Sequence, residues 1–261
     1  MIELDQLDSV SDVPIRSDQY LRVTTHAWWM AGFGLHDREF RFLGENWIHV
    51  WIPADRGRAW LLERRVTGRQ RWLAGSAEEA VALGFEVTGG WPSGRWRAPF
   101  GDFFARESGR RPSAQPGSWA QPDEGFLAEL PRDPHELYQR LENDSPRNRP
   151  GYIGALKYAL AALKTGLVPA DLRGALYGAI GLIPGAAIIR DTANVDGAPA
   201  VALAVDDGTR RTDVLIDPSN GEFVGERVTM TSDAFGLRAG VVTSQTAMRR
   251  SVVDELPEPP G

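Results

Sequence analysis

Residues 46–53, NWIHVWIP, hold the side chains whose types and spacing best suit chemistry. Side chains on an extended chain alternate between two faces. Trp47, His49 and Trp51 therefore share one face, while Ile48, Val50 and Ile52 share the other. An imidazole titrates near neutrality and can serve as acid or base. An indole offers a large apolar surface with one N–H donor. The face reads either as the wall of a pocket or as rings packed in a core, with His49 hydrogen-bonded at its margin.

Other aromatic residues extend this candidate set. Trp28 and Trp29 are adjacent and must face opposite ways on a strand, so one of them is on the less buried side. GWPSGRWRAPFGDFF, residues 90–104, mixes Trp91, Trp96, Phe100, Phe103 and Phe104 with Arg95 and Arg97. Such a mixture suits stacking on a ligand, gripping a partner protein, or plugging an open sheet edge. The expected ligand contacts are Trp28, Trp47, His49, Trp51, Trp91 and Trp96.

Catalytic and metal chemistry find less support. His26, His36, His49 and His135 lack the short local spacing usual for zinc ligands, and His36 with Asp37 and Glu39 reads as a solvated turn. There is no G-x-S-x-G elbow. Asp206, Asp207 and Asp217 fall at turns, where aspartate binds local backbone, and Glu78 and Glu79 suit the first turn of a helix. No catalytic residue, metal or cofactor is expected. Acid–base residues need not be neighbours in sequence, so an enzyme with His49 as its acid or base remains an alternative.

Composition bounds the partners. The chain has 261 residues, 42% hydrophobic and 25% charged, which is ordinary for a globular protein. Its net charge of −6 argues against nucleic acid or an anionic membrane surface as partner. The absence of cysteine excludes disulfides, thiolate metal sites and a thiol nucleophile. The N-terminal MIELDQLDSVSDVPIRSD has neither a basic leader nor an apolar core, so residues 1–18 read as a flexible segment rather than a signal peptide. No run reaches the roughly 18 apolar residues of a membrane span, and the chain is expected to be soluble.

Three textures position the candidates. Residues 19–97 read as strands and carry eight of the nine tryptophans, with Ser76 and Glu79 forming a capping box before AEEAVA. Residues 98–125, rich in Pro, Gly, Ser and Arg, read as a long surface loop. Residues 126–184 turn helical. Asp133 caps Pro134 and Glu136; Ile153, Leu156, Leu160 and Leu163 form a stripe closed by Gly166; and Leu172, Leu176 and Ala179 form a second stripe. Residues 186–253 return to strands with turns at Asp196-Gly197, Asp207-Gly208 and Asn220-Gly221, an antiparallel meander. Residues 255–261 form a tail. Strands, helices and strands again predict one α+β domain over 19–254. In it both strand groups form a strongly curved antiparallel sheet, a half-barrel, with one-sided helices packed in its concave face.

QYLRVTTHAWW, WIPADRGRAWLLERR, LPRDPHELYQRL, GLVPADLRGALYGAIGLIPG, DGAPAVAL and LIDPSNGEFVGE occur in this order. Together they resemble an actinobacterial family of membrane-tethered proteins of uncharacterised function with an anti-sigma-like arrangement. The resemblance runs from about Gln19 onward and implies an extracytoplasmic domain similar to LolA- and RseB-like half-barrels. The family's tether and membrane span are not in these residues, which fits either an excised outer domain or a soluble member. The resemblance supplies no catalytic residue. It implies a non-catalytic sensing or binding domain, extracytoplasmic or at the cell surface, for a lipid or other hydrophobic small molecule. The alternative is an interaction module, its hollow filled by its own helices, that binds a partner protein.

Overall fold

The computed structural model describes residue 12 and residues 14–35, 38–84, 92–145 and 151–258. Among them nine strands and five helices follow in chain order. They are β1 (Tyr20–Leu35), β2 (Arg38–Pro53), β3 (Ala59–Ala74), α1 (Ala77–Ala82), β4 (Gly94–Pro99), α2 (Glu124–Glu129), α3 (Pro134–Asp144), α4 (Gly151–Lys164), α5 (Ala170–Gly181), β5 (Ala187–Ala193), β6 (Pro199–Asp206), β7 (Arg210–Ile216), β8 (Phe223–Met230) and β9 (Val242–Val253). All nine strands join one antiparallel sheet in the order β4-β3-β2-β1-β9-β8-β7-β6-β5. The two strand groups meet where β1 pairs with β9.

The α+β class and the antiparallel sheet are as expected, but the curvature is not. The sheet is neither closed nor strongly curled. β8 and β9 share only three paired positions before they part, against ten between β9 and β1. Among the described residues the sheet is thus unpaired between β8 and the part of β9 beyond Gln245.

Alternation assigns the faces. Leu21 and Val23 pair with Ile52 and Val50, and Met248 pairs with Thr25. These apolar residues belong to the main core with Leu137, Leu156, Leu160, Leu172 and Leu176 of the helices. Fully burying a leucine side chain contributes about 1.5–3 kcal/mol. On the opposite face Arg22, Thr24, His26 and Trp28 stand directly across from Trp51, His49, Trp47 and Glu45. No bulge interrupts this register, so each residue keeps its side.

Local signals set the helix starts. Ser76 Oγ accepts from Glu79 N at 3.2 Å, and Asp133 Oδ1 accepts from His135 N and Glu136 N. Asp123 caps α2 by accepting from Phe126 N at 2.7 Å, a short helix that starts two residues before the stretch expected to be helical. Helix α5 departs from the one-sided expectation: Leu172, Arg173, Ala175, Leu176, Tyr177, Ala179 and Ile180 are all buried. It touches α3, α4 and β6, so neighbours cover more than one of its sides. Gly68 lies within one continuous strand. Its positive φ of 80° lies in β3, where the pairing with β2 shifts register. The loop before α2 is anchored rather than loose at Trp119, which is buried and donates from Nε1 to Asp144 Oδ2 at 2.8 Å. No helix among the described residues is long and apolar enough to cross a membrane.

Candidate functional site

The split between β8 and β9 creates the site. β9 pairs with β1 up to Val253, whereas its pairing with β8 stops at Gln245. The reason lies in β8. Its pairing with β7 skips Val224, leaving a bulge, and Gly225 beside it has φ 140°. A Cβ on Gly225 would lie 2.1 Å from Thr246 O, so only glycine permits this close crossing. Beyond it β8 turns away, and the β8 side of β9 has no strand partner among the described residues.

A cavity of about 600 Å³ fills the gap. Six consecutive β9 residues, Ala247 to Val252, line it. Consecutive residues point to opposite faces, so the cavity wraps around the strand's backbone edge. The α4–α5 turn, Gly166 to Pro169, closes it on the helix side, and Asn194, Asp196 and Ala198 of the β5–β6 turn close it on the other. Gly166 has φ 70°, and a Cβ there would meet Val23 Cγ2 at 2.6 Å, so this turn can lie flat on β1 only as glycine. The wall mixes apolar residues such as Leu21, Leu167, Phe223 and Met248 with charged ones.

At one end stands His26. Its Nε2 lies 3.0 Å from Glu45 Oε1 and its Nδ1 lies 2.5 Å from Asp196 Oδ1. Trp47 stacks on the ring, with centroids 4.2 Å apart and planes 3° from parallel. Glu45 is buried and also accepts from Thr67 Oγ1 at 2.6 Å and Arg69 Nη1 at 2.9 Å. Burial pushes its pKa up, but the hydrogen bonds from Thr67 and His26 and the charge of Arg69 outweigh it and hold the carboxyl below its ordinary range. Which ring nitrogen donates and which accepts follows from the tautomer.

At the other end the guanidinium group of Arg250, a lining residue, converges with that of Arg173, which is not part of the lining. Arg173 Nη1 donates to Asp12 Oδ1 at 2.8 Å and its Nη2 to Glu222 Oε1 at 3.0 Å. Arg250 Nη2 reaches the same two oxygens at 2.7 and 2.8 Å, while its Nη1 donates to Gly166 O. Asp12 Oδ2 accepts from Ala170 N, the first amide of α5, at 2.7 Å. Burial raises the Asp12 pKa, and the hydrogen bonds from Arg250 and Arg173 more than reverse this, leaving it below the usual carboxylate range.

The sequence candidates are divided by the register. Trp28, Trp47, His49 and Trp51 share the face away from the helices, but only Trp47 lines the cavity. Trp28 is 2% exposed and packed beneath Arg71, whose guanidinium carbon is 3.9 Å from the ring centroid. Trp51 is buried as well. His49 is half-buried and bonds Thr24 Oγ1 through Nδ1 at 3.0 Å. Burial, with Arg22 and Arg65 adding to it, lowers its pKa. Trp96 pairs with Leu62, which pairs with Val50, placing it on the opposite face, where it meets Phe104 at 5.7 Å. Trp91 and His36 lie outside the described residues. Among the described residues no group of three His, Cys, Asp or Glu is placed to hold a metal ion.

The cavity's polar groups escaped the sequence reading. Asp196 read only as a turn residue, and nothing local marks Asp12, Glu222 or Arg250. Arg173 did leave a signal, a charge between Leu172 and the apolar run through Ile180, although a single arginine on a helix is more often solvent-facing.

No protein-family model matches the chain, and no curated protein matches it. Among solved structures, a DUF1329 family protein from Desulfovibrio piger is similar at 10% identity over 96% of this chain and 88% of that one, with a TM-score of 0.20. A likeness at that level carries no argument about this chain's fold or function.

Proposed function

We propose that the chain is a non-catalytic binding domain whose ligand is an amphipathic small molecule held in the cavity between β8 and β9. The observation that carries this reading is the run Ala247 to Val252, whose β8-facing edge has no strand partner among the described residues, inside a cavity that also has an apolar wall. The apolar body of the ligand lies against Leu21, Leu167, Phe223 and Met248, and its polar groups meet the edge and the charged ends. A pocket of this size with a few convergent polar groups suits one small ligand. A lipid or other hydrophobic molecule remains the partner class, now with a polar part. An open sheet with helices on one face supports kinship with LolA- and RseB-like binding domains. The resemblance to membrane-tethered proteins supports an extracytoplasmic setting. His49 lies outside the cavity lining, which argues against it as the acid or base for a ligand held there.

The β8-facing edge of β9, unpaired beyond Gln245 among the described residues, also favours a second reading, in which an extended segment of a partner protein adds as a strand. One experiment separates the two. Protein purified without detergent is extracted and examined by mass spectrometry, then titrated with 11-(dansylamino)undecanoate. Binding that is lost in Ala198→Trp, which fills the cavity from the β5–β6 turn, supports the small-molecule reading. Binding unaffected by that substitution, or no binding at all, overturns it, and co-purification of a peptide supports the second reading.

A further inference from the structure

The cluster at the α5 end of the cavity is built to hold an anion, and the chain itself supplies the one it holds. Arg173 is 4% exposed, and Arg250 lines the cavity beside it. Both guanidinium groups point at one carboxylate oxygen of Asp12, whose other oxygen takes the first amide of α5. Glu222 is the second counter-charge. Two arginines against two carboxylates leave the cluster neutral, and removing Asp12 would leave one positive charge in a largely buried place. A buried charge without its partner is strongly unfavourable, so the vacated position would draw another anion. Donors are in surplus even with Asp12 present: among the described residues the Nε atoms of Arg173 and Arg250 are buried without an acceptor. An arginine offers five N–H donors in a planar fork suited to carboxylates.

We propose that Arg173, Arg250 and the Ala170 amide form a subsite for a ligand carboxylate, and that Asp12 occupies it as an internal substitute until the ligand displaces it. The proposal rests on the cavity being the binding site and names the ligand's polar part. Asp12 and Ile15 both line the cavity, so departure of Asp12 from the cluster opens the α5 end as it frees the arginines. The carboxylate then anchors at Arg250 and Arg173, with the apolar part of the ligand along Leu167 and Phe223. Leu21 and Met248 cover its other side. Affinity for the ligand is thereby set against the hold of Asp12, which is a fixed internal competitor.

Two measurements on the full chain test this. Thermal unfolding is followed in sodium acetate and in sodium chloride at equal ionic strength. Acetate is expected to raise the Tm of Asp12→Ala by several degrees relative to chloride, with no such difference in the parent protein or in the Asp12→Ala, Arg250→Gln double variant. Asp12→Ser, whose hydroxyl can still accept from Ala170 N, serves as the second variant should the alanine protein not fold. In the second measurement, 11-(dansylamino)undecanoate is expected to bind Asp12→Ala about tenfold more tightly than the parent, as loss of one charge-assisted competitor implies. Its methyl ester is expected to bind both proteins alike. Equal response to acetate and chloride in both Asp12 variants, or equal tightening for acid and ester, overturns the subsite. An acetate response without any binding of the dansyl probe would instead uphold the subsite and sink the small-molecule reading of the cavity.

Discussion

Asp196 Oδ1 meets His26 Nδ1 at 2.5 Å, although the two residues are 170 positions apart and belong to opposite halves of the sheet. The contact closes the β5–β6 turn over the split between β8 and β9. Two further bonds hold the same hairpin: Asn194 Nδ2 to Val224 O at 3.1 Å, and Arg227 Nη2 to Thr192 Oγ1 at 3.1 Å. The hairpin therefore roofs the cavity through polar contacts, with a small apolar cluster of Ala200, Ala202 and Leu215 packed by Ile189 and Val224 beneath.

Replacing Asp196 by Ala should loosen this roof without unfolding the protein. A hydrogen bond to a charged group contributes about 1.5–3 kcal/mol, and Asp196 is partly exposed, so a loss at the low end is expected. Hydrogen exchange of residues 192–198 should accelerate while the amides of β1 and β2 keep their protection. Uniform acceleration across the sheet would contradict a local latch.

Removing His26 should be more damaging than removing either of its partners. His26→Ala leaves Glu45 buried with only Thr67 and Arg69, and also strips Trp47 of its stacking partner. Leaving a buried charged acceptor without one of its hydrogen-bond partners costs about 1–3 kcal/mol or more. The His26→Leu, Glu45→Gln double variant should recover part of that loss, because it removes the orphaned charge. Urea unfolding measures both, and a double variant no more stable than the single one would count against this account.

Acid should weaken the fold in two stages. The His49 pKa is lowered in the fold from 6.5, so its contribution is fully present above about pH 6.5 and declines as the pH falls through the lowered value. Asp12 and Glu45 are lowered from 3.8 and 4.5, so their contributions are present above those values and are lost as the pH falls through the lower folded ones. Urea midpoints between pH 3 and 8 are expected to show a shallow decline below 6.5 and a steeper one below about 4.5. His49→Gln should flatten the first and Asp12→Asn the second. Unchanged slopes in those variants would refute the assignments.

Gly225→Ala is expected to be among the costliest single-methyl additions in the chain. Its φ of 140° disfavours any side chain, and the new Cβ would collide with the Thr246 carbonyl. Overpacking of this kind costs about 1–3 kcal/mol, with backbone strain added. Circular dichroism melts give the stability, and loss of dansyl-probe binding in a still-folded variant would show that the split depends on this crossing. A variant as stable as the parent would show that β8 and β9 can part without the close approach.

Much of the architecture was legible in the residues because its causes are local. Asp133 and Ser76 accept from amides two or three residues ahead, so capping needs no distant partner. Gly197, Gly208 and Gly221 all take positive φ at the turns that aspartate-glycine and asparagine-glycine pairs announced. The alternation in NWIHVWIP placed Val50 and Ile52 against the helices and the indoles on the other side. The buried polar cluster was not legible. Arg173 reads like any helical arginine until α5 is seen to be covered by α3, α4 and the sheet.

The sequence by itself determined most of the elements, the strand faces, the hairpin turns and the α+β class, since these follow from steric preferences and apolar spacing within a few residues. Tertiary structure alone decided that β9 would lose its second neighbour at Gly225, and that Asp12, Arg173, Glu222 and Arg250 would meet around one end of the resulting cavity. It likewise brought Asp196 to His26. Charges can be buried only where opposite charges and donors surround them, and that surrounding is assembled from segments up to 238 residues apart. No local pattern encodes such a meeting.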